Sequence, residues 1–274
     1  MSSFTTITPQ QLTRLIGTPR CPALIDVRID EDFDLDPRLI PGSHRRPYSK
    51  VTDWAAQYNG HTAVVICRRG KKLSEGVAAW LRGAGIAAEV LEGGFDAWAQ
   101  ANLPAVPAAV LPQGNGQGRT VWVTRARPKI DRLACPWLIR RFVDPGAVFL
   151  FVAPTEVTAV AEKFHATSFD VKDTFWSHRG PLCTFDVMVE ELRLETPPLV
   201  RLAAIVRGAD TARLDLAPEA AGLLAVSLGL SRMYANDLDQ LEAALSIYDA
   251  FYRWSRDATE ESHDWPPHRA GSAQ

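Results

Sequence analysis

Two patterns of hydrophobic and polar residues divide the 274-residue chain. In the first, short aliphatic runs alternate with helical stretches. Thr8-Pro9 opens a short helix over 10–16, with Thr8 as N-cap and Pro9 at the first helical position. Ala23-Leu-Ile-Asp26-Val-Arg28 reads as a strand, and Asp26 and Arg28, two residues apart, point to the same side. Residues 29–39 are acidic and irregular, Ile40-Pro41-Gly42-Ser43 is a turn, and 51–58 is helical up to Asn59-Gly60. Val64-Val-Ile66 has the apolar continuity of a buried parallel strand and stops at Cys67. A helix follows over 73–82, ended by Gly83 and Gly85. Ala87-Ala-Glu-Val-Leu91 is a further strand that runs into Glu92-Gly93-Gly94, a glycine turn opening another helix. Strands alternating with helices at these intervals predict an α/β fold, a parallel sheet with helices on both faces.

The pattern then breaks. Residues 101–118 are dominated by Pro, Ala, Gly, Gln and Asn, a composition that buries too little surface to fold and reads as a linker. The expected organisation is a first domain over 1–105, a linker over 106–118 and a second domain over 119–268. In the second, strands over 120–125 and 147–152 are outnumbered by helices. A helix, or two short ones broken at Pro136, covers the stretch to Phe142. Others are expected over 154–165, 182–192, 198–207, 218–228 and 237–256. Leu238, Leu241, Leu245, Tyr248 and Tyr252 recur at helical spacing in the last, as a core stripe does. This half reads as a mainly helical α/β domain with a small sheet.

Composition narrows the class. Hydrophobic content of 46% and charged content of 23% are those of a soluble globular protein. A net charge of -2 disfavours general nucleic-acid binding, and no apolar run approaches a membrane span. The opening Met-Ser-Ser-Phe-Thr-Thr has neither the basic nor the apolar region of a signal peptide. Cys21, Cys67, Cys135 and Cys183 are widely spaced with no CxxC pair, which suggests reduced thiols and a cytoplasmic location.

Candidate chemistry centres on Cys67. Strand, loop and helix place its sulfur above a helix N-terminus, where free N–H groups and the helix dipole favour an anion. Arg68, Arg69, Lys71 and Lys72 add positive charge, favouring the thiolate. The alternative is a buried structural cysteine, which leaves the crowded cations without an explanation. In the second half, Ser177-His178-Arg179-Gly180-x-x-Cys183-Thr-Phe-Asp186 and Arg207-Gly208-Ala209-Asp210 carry the candidates. Cys183 and Asp186 fall one helical turn apart, with His178 just before. His178, Asp186, Asp210 and Cys183 could hold zinc or iron. Arg179 and Arg207 could instead hold an oxyanion, with the carboxylates orienting them. The bland reading makes His178 and Arg179 capping or ion-pair residues and Cys183 a packing residue. Arg125, Arg127, Lys129 and Arg132 likewise form either an oxyanion site or a set of ion pairs.

Four motifs around Cys67 carry a resemblance: Leu-Ile-Asp26-Val-Arg28, Ile40-Pro41-Gly42-Ser43, Cys67-Arg-Arg-Gly70 and Glu92-Gly93-Gly94-x-x-Ala97-Trp98. Together they resemble a single-copy rhodanese domain over about 5–105. The resemblance implies a sulfurtransferase in which Cys67 carries a persulfide and the loop Arg68, Arg69, Gly70, Lys71, Lys72 cradles it, with Asp26 and Arg28 in support. It implies thiosulfate or another sulfane-sulfur donor, a thiol or cyanide-type acceptor, and no cofactor for the transfer. The loop length is similar to that of the sulfur-handling form rather than the longer phosphatase form. Lys72-Leu73 stands where many single-domain relatives have Arg-Ser.

A second set, Trp-Val-Thr-Arg-x-Arg-Pro-Lys-Ile-Asp131-Arg132-x-Ala-Cys135-Pro-Trp137-Leu-Ile-Arg140-Arg141, Ser-His178-Arg-Gly and Leu216-Ala-Pro-Glu219-Ala-Ala-Gly222, resembles the C-terminal domain of the chromate-resistance protein B family. That resemblance spans about 119–266 and implies a part in tolerating chromate, as detoxifier, sensor or regulator. Thiosulfate and chromate are both tetrahedral dianions, suited to a cationic loop or an arginine cluster. Two expectations follow: sulfur transfer at Cys67 linked to chromate detoxification, or an oxyanion- or metal-binding sensor with an accessory rhodanese domain.

Overall fold

The computed structural model describes residues 5–115 and 118–261. Residues 1–4 of the amino-terminal stretch, residues 116–117 of the expected linker and the expected end of the second domain at 268 lie outside them.

The first half contains β1 (Thr6–Ile7), α1 (Pro9–Leu15), β2 (Ala23–Asp26), α2 (Asp30–Asp34), β3 (Arg38–Leu39), β4 (Ser43–Arg45), α3 (Val51–Trp54), β5 (Ala63–Ile66), α4 (Lys72–Gly83), β6 (Ala88–Leu91), α5 (Gly94–Gln100) and β7 (Val106–Pro107). Five strands form a parallel sheet in the order β1-β6-β5-β2-β4. Alternation along β5 sends successive side chains to opposite faces. Ala63 and Val65, with Cys67 just beyond, pack in a cluster containing Val51 and Trp54 of α3 and Val77, Ala78 and Leu81 of α4. Val64 and Ile66 join the cluster containing Leu12 of α1 and Phe95 and Trp98 of α5.

Two local expectations change. Residues 29–39 form α2 and β3 rather than irregular chain, and β4 extends the sheet after the Ile40–Gly42 turn. Val106 and Pro107, expected in a linker without partners, pair antiparallel with β3, and Val106 is buried. Apolar Ala105 and Val106 have a face to cover there, so the proline-rich stretch is held rather than free.

The second half contains β8 (Val121–Arg125), α6 (Asp131–Phe142), β9 (Val148–Val152), α7 (Val157–Phe164), β10 (Thr167–Ser168), α8 (Thr184–Glu191), α9 (Pro197–Asp210), α10 (Ala220–Met233) and α11 (Asp237–Asp257). A small parallel sheet runs β10-β8-β9. Pro136 does not break α6. It removes one backbone donor, but Leu133, Ala134, Cys135, Trp137, Leu138 and Ile139 around it are buried, so packing holds the helix through the proline.

The cluster on the α1/α5 face continues into the second half. Trp137, Phe142, Leu199, Tyr248 and Tyr252 belong to it. Gly17 has φ 78°, and a Cβ there would lie 2.8 Å from the Tyr252 ring, so glycine lets α1 approach α11. Gly42 N–H donates to the Phe142 carbonyl at 2.7 Å, and Arg256 donates to the Arg14 carbonyl. The two halves share one core. No helix among the described residues is long and apolar enough to cross a membrane.

Candidate functional site

Cys67 lies where β5 ends, 6% exposed on the α3/α4 face. The loop to α4 is shaped by glycines. Gly70 has φ 65°, and a Cβ on it would lie 2.8 Å from Gly94 N and 2.9 Å from Gly93 N. Gly93 and Gly94 also have positive φ, which turns β6 into α5. The start of α5 then donates Phe95 N–H to the Cys67 carbonyl and Asp96 N–H to the Arg68 carbonyl, both at 2.9 Å. The Glu-Gly-Gly motif thus clamps the cysteine loop, although the two are distant in sequence.

Two of the four loop cations have carboxylate partners. Arg68 pairs with Asp32 at 3.2 Å and Asp96 at 3.4 Å, Arg69 reaches Asp96 at 3.9 Å, and Lys71 and Lys72 are exposed. Carboxylates that the sequence reading passed over relieve the repulsion. Ser74 Oγ stands 3.0 Å from the sulfur and the Lys71 carbonyl 3.2 Å from it. Ser74 was overlooked because it is the third residue of α4, beyond the contiguous motif. Asp26 and Arg28 form a buried pair at 2.6 Å. Arg28 stacks on Phe95 at 3.8 Å and donates to the carbonyls of Asp36 and Arg38. It ties β2, α5 and the segment before β3 together, a role in the frame of the loop.

A second constellation lies in the other half. Asp131 opens α6, Asp170 follows β10, His178 is in the loop before α8, and Asp210 ends α9. His178 Nε2 is 3.4 Å from Asp131 Oδ2, from Asp170 Oδ1 and from Asp210 Oδ2. Asp131 is 1% exposed, whereas the His178 side chain is 40% exposed, so the cluster has one open side.

Backbone strain and tertiary ties fix Asp131. Arg127 and Ile130 have φ 57° and 37°, costly for a β-branched residue. The turn is held by Ser227 Oγ accepting from Ile130 N–H, Tyr248 donating to the Ile130 carbonyl, and Gln240 donating to the Pro128 carbonyl. Asp131 then accepts Thr184 N–H at 2.7 Å and Phe185 N–H at 2.9 Å, at the N-terminus of α8. Asp170 turns Oδ2 toward Arg125 at 2.8 Å and Arg132 at 3.2 Å, while Oδ1 faces His178 and accepts the Thr184 hydroxyl at 3.3 Å.

The charges shift one another. Hydrogen bonding to Asp131, with the charges of Asp131, Asp170 and Asp210, raises His178 to about 9 against burial. Burial, then the Asp131 and Asp170 charges, raise Asp210 to about 7. Burial and Asp131 also raise Asp170.

Of the residues named from sequence, His178 and Asp210 meet. Asp186 stands apart as the capping-box partner of Cys183 N–H at 3.0 Å and the ion-pair partner of Arg207. Cys183 is the N-cap of α8, its thiol pushed far up by burial, which makes it a packed capping residue. Arg179 pairs with Glu191. The arginine run resolves into pairs and caps: Arg125 and Arg132 on Asp170, and Arg127 on the carbonyls of Ser231 and Tyr234. Asp131 and Asp170 were missed as site residues. Asp131 stood inside the quoted arginine run, and no spacing rule links Phe169-Asp170 to it.

Comparison with known proteins divides the chain the same way. Residues 8–101 match the family model described as rhodanese-like domain, and residues 122–255 match the one described as ChrB, C-terminal domain. The chain thus carries a rhodanese-like domain followed by a ChrB C-terminal domain. Protein ChrB of Cupriavidus metallidurans is 34% identical over 137 residues, 50% of this chain and 40% of that protein, so the chain spans well under half of that relative's length. A rhodanese-like domain protein of Staphylococcus aureus is 27% identical, with TM-score 0.31, covering 34% of this chain and 90% of that one. A rhodanese-related protein of Thermoplasma volcanium is 25% identical, with TM-score 0.33, covering 37% and 97%.

Proposed function

We propose that the chain is a rhodanese-type sulfurtransferase working in chromate tolerance, with Cys67 as its sulfur carrier. The observation that carries this reading is the loop itself. A cysteine at the end of a central parallel strand sits 3.0 Å from Ser74 Oγ in the first turns of α4, in a loop clamped by the start of α5. The rhodanese-like match over 8–101 and the ChrB C-terminal match over 122–255 support the two parts of the reading.

In the proposed cycle the Cys67 thiolate attacks the sulfane sulfur of thiosulfate. A cysteine–sulfur bond forms, the donor's sulfur–sulfur bond breaks, and sulfite leaves with the bonding pair. Cyanide or a thiolate then attacks the outer sulfur of the persulfide, leaving as thiocyanate or a persulfide and restoring the thiolate. No electron is left over and no cofactor enters. In this cycle the Ser74 hydroxyl, 3.0 Å from the sulfur and 3.1 Å from the Lys71 carbonyl, turns its proton to the anionic sulfur, and the α4 N-terminus favours its charge.

The oxyanion-sensor reading is less favoured, because Arg125, Arg132 and Arg207 are engaged by carboxylates. The test is thiosulfate–cyanide turnover by wild type and Cys67→Ser, alongside survival on chromate of cells carrying each. The reading requires turnover and protection by wild type and neither by the variant. Wild type without turnover removes sulfur transfer; equal protection by both removes its link to chromate.

A further inference from the structure

The cluster around His178 has no role in the proposed sulfur transfer and lies in the other half of the chain. Its geometry is hard to explain as an ion-pair network alone. An imidazole Nε2 carries at most one N–H, yet three carboxylate oxygens face this one, each at 3.4 Å. That is longer than a strong charge-assisted hydrogen bond, about 2.7–2.9 Å, so even the Asp131 contact that raises His178 is a weak one. One proton cannot serve three acceptors, and among the described residues Asp210 has His178 as its only ion-pair partner.

The separation has another meaning. Ligand atoms about 2.0–2.2 Å from a tetrahedral zinc ion lie about 3.3–3.6 Å from one another. The separations of Asp131 and Asp170 from Nε2 fall in that window, and the ligand atoms of Asp131, Asp170 and His178 lie within 4.8 Å of one another. The carboxylates are also oriented from behind, as ligands are. Arg125 and Arg132 hold Asp170 by Oδ2, Thr184 Oγ donates to its Oδ1, and the N–H groups of Thr184 and Phe185 hold Asp131 by Oδ2 and Oδ1.

We infer that Asp131, Asp170 and His178 form a binding site for a divalent transition cation, with zinc as the best fit and Asp210 beside His178 at 3.4 Å. Two carboxylate oxygens and one imidazole nitrogen are hard-to-borderline donors, which favour Zn2+, Fe2+ or Mn2+ over thiophilic Cu+ and leave a coordination position open. Cys135 and Cys183 are both fully buried; Cys135 Sγ approaches Asp131 Oδ1 only at 3.8 Å, and Cys183 caps α8. The exposed flank of His178 leaves an approach for the ion and for a small anionic ligand on it.

The test uses the full chain, stripped with chelator and titrated calorimetrically with zinc chloride. Wild type should bind one equivalent, and its thermal midpoint should rise with added zinc. Asp170→Asn and His178→Gln should each weaken binding by roughly 100-fold and lose the thermal shift. Circular dichroism establishes that each variant is folded, and either one, folded, suffices for the comparison. Cys67→Ser should bind zinc as wild type does, which separates this site from the sulfur loop and excludes capture by that thiol. Wild type without a stoichiometric site overturns the assignment, as do folded variants that bind as tightly as wild type.

Discussion

The Cys67 loop and the His178 cluster solve the problem of placing reactive groups in opposite ways. The loop is nearly contiguous: sulfur, glycine and Ser74 fall within eight residues, and a single distant turn at Gly93–Gly94 clamps them. The cluster is drawn from four places between Asp131 and Asp210, each position set by a different element. A contiguous loop can lose its reactive group without loss of fold. A convergent cluster cannot lose its best-tethered member so cheaply, because that group also closes the hydrogen bonding of the elements it joins.

The sharpest break between the two is chemical. Cys67→Ser should abolish sulfur transfer while leaving the thermal midpoint near that of wild type, whereas His178→Gln should leave transfer unchanged. Activity lost in both would mean that the sites are coupled through the shared core, against the comparison. Next comes stability. Asp131→Ala should destabilise the fold by about 2–4 kcal/mol in urea unfolding, since the buried N–H groups of Thr184 and Phe185 lose their acceptor. Gly70→Ala should cost about 1–3 kcal/mol and most of the transfer activity, since a side chain at φ 65° would press on Gly93 N and Gly94 N. A Gly70→Ala protein with wild-type turnover would show that the clamp is dispensable.

The smallest effect is in pH dependence. Asp210 is raised from 3.8 to about 7, so the folded metal-free chain holds a proton that the unfolded chain has released. Stability associated with this group is therefore present at low pH and is lost as pH rises from about 4 through 7. Asp210→Asn removes that loss. Thermal melts without metal should show the variant gaining on wild type between pH 5 and pH 8. A constant difference across that range would mean that Asp210 is not crowded by Asp131 and Asp170.

What was legible follows the same division. The parallel sheet, the cysteine at its strand end and the glycine turn are local patterns, and the sequence carries them in order. The second half was legible as helices and a small sheet, but its site was only half so. His178 and Asp210 announce themselves as polar groups at turns. Asp131 and Asp170 do not, because their positions depend on Ile130 being held at positive φ by Ser227 and Tyr248 and on Asp170 turning at φ 51°. Charge patterning at the loop gave the cations without their partners for a related reason. Arg68 reads as a cation beside sulfur until the fold brings Asp32 and Asp96 to it. The arginine run was read as an oxyanion site or a set of ion pairs, and Arg125 and Arg132 pair with Asp170, a partner out of view in sequence.

The Gly42–Phe142 hydrogen bond and the rings stacked over Gly17 have a consequence for synthesis. A ribosome releases the first half well before Phe142, Leu199 and Tyr252 exist. Until they arrive, the face carrying Leu12, Ile16 and Trp98 has no cover, while the opposite face can already close α3 and α4 over Cys67. The nascent chain therefore spends the translation of more than half its length with a sulfur loop able to form and an apolar flank exposed to chaperones or to other nascent copies. Premature termination between the halves would release a fragment whose sticky side is the one farthest from its chemistry.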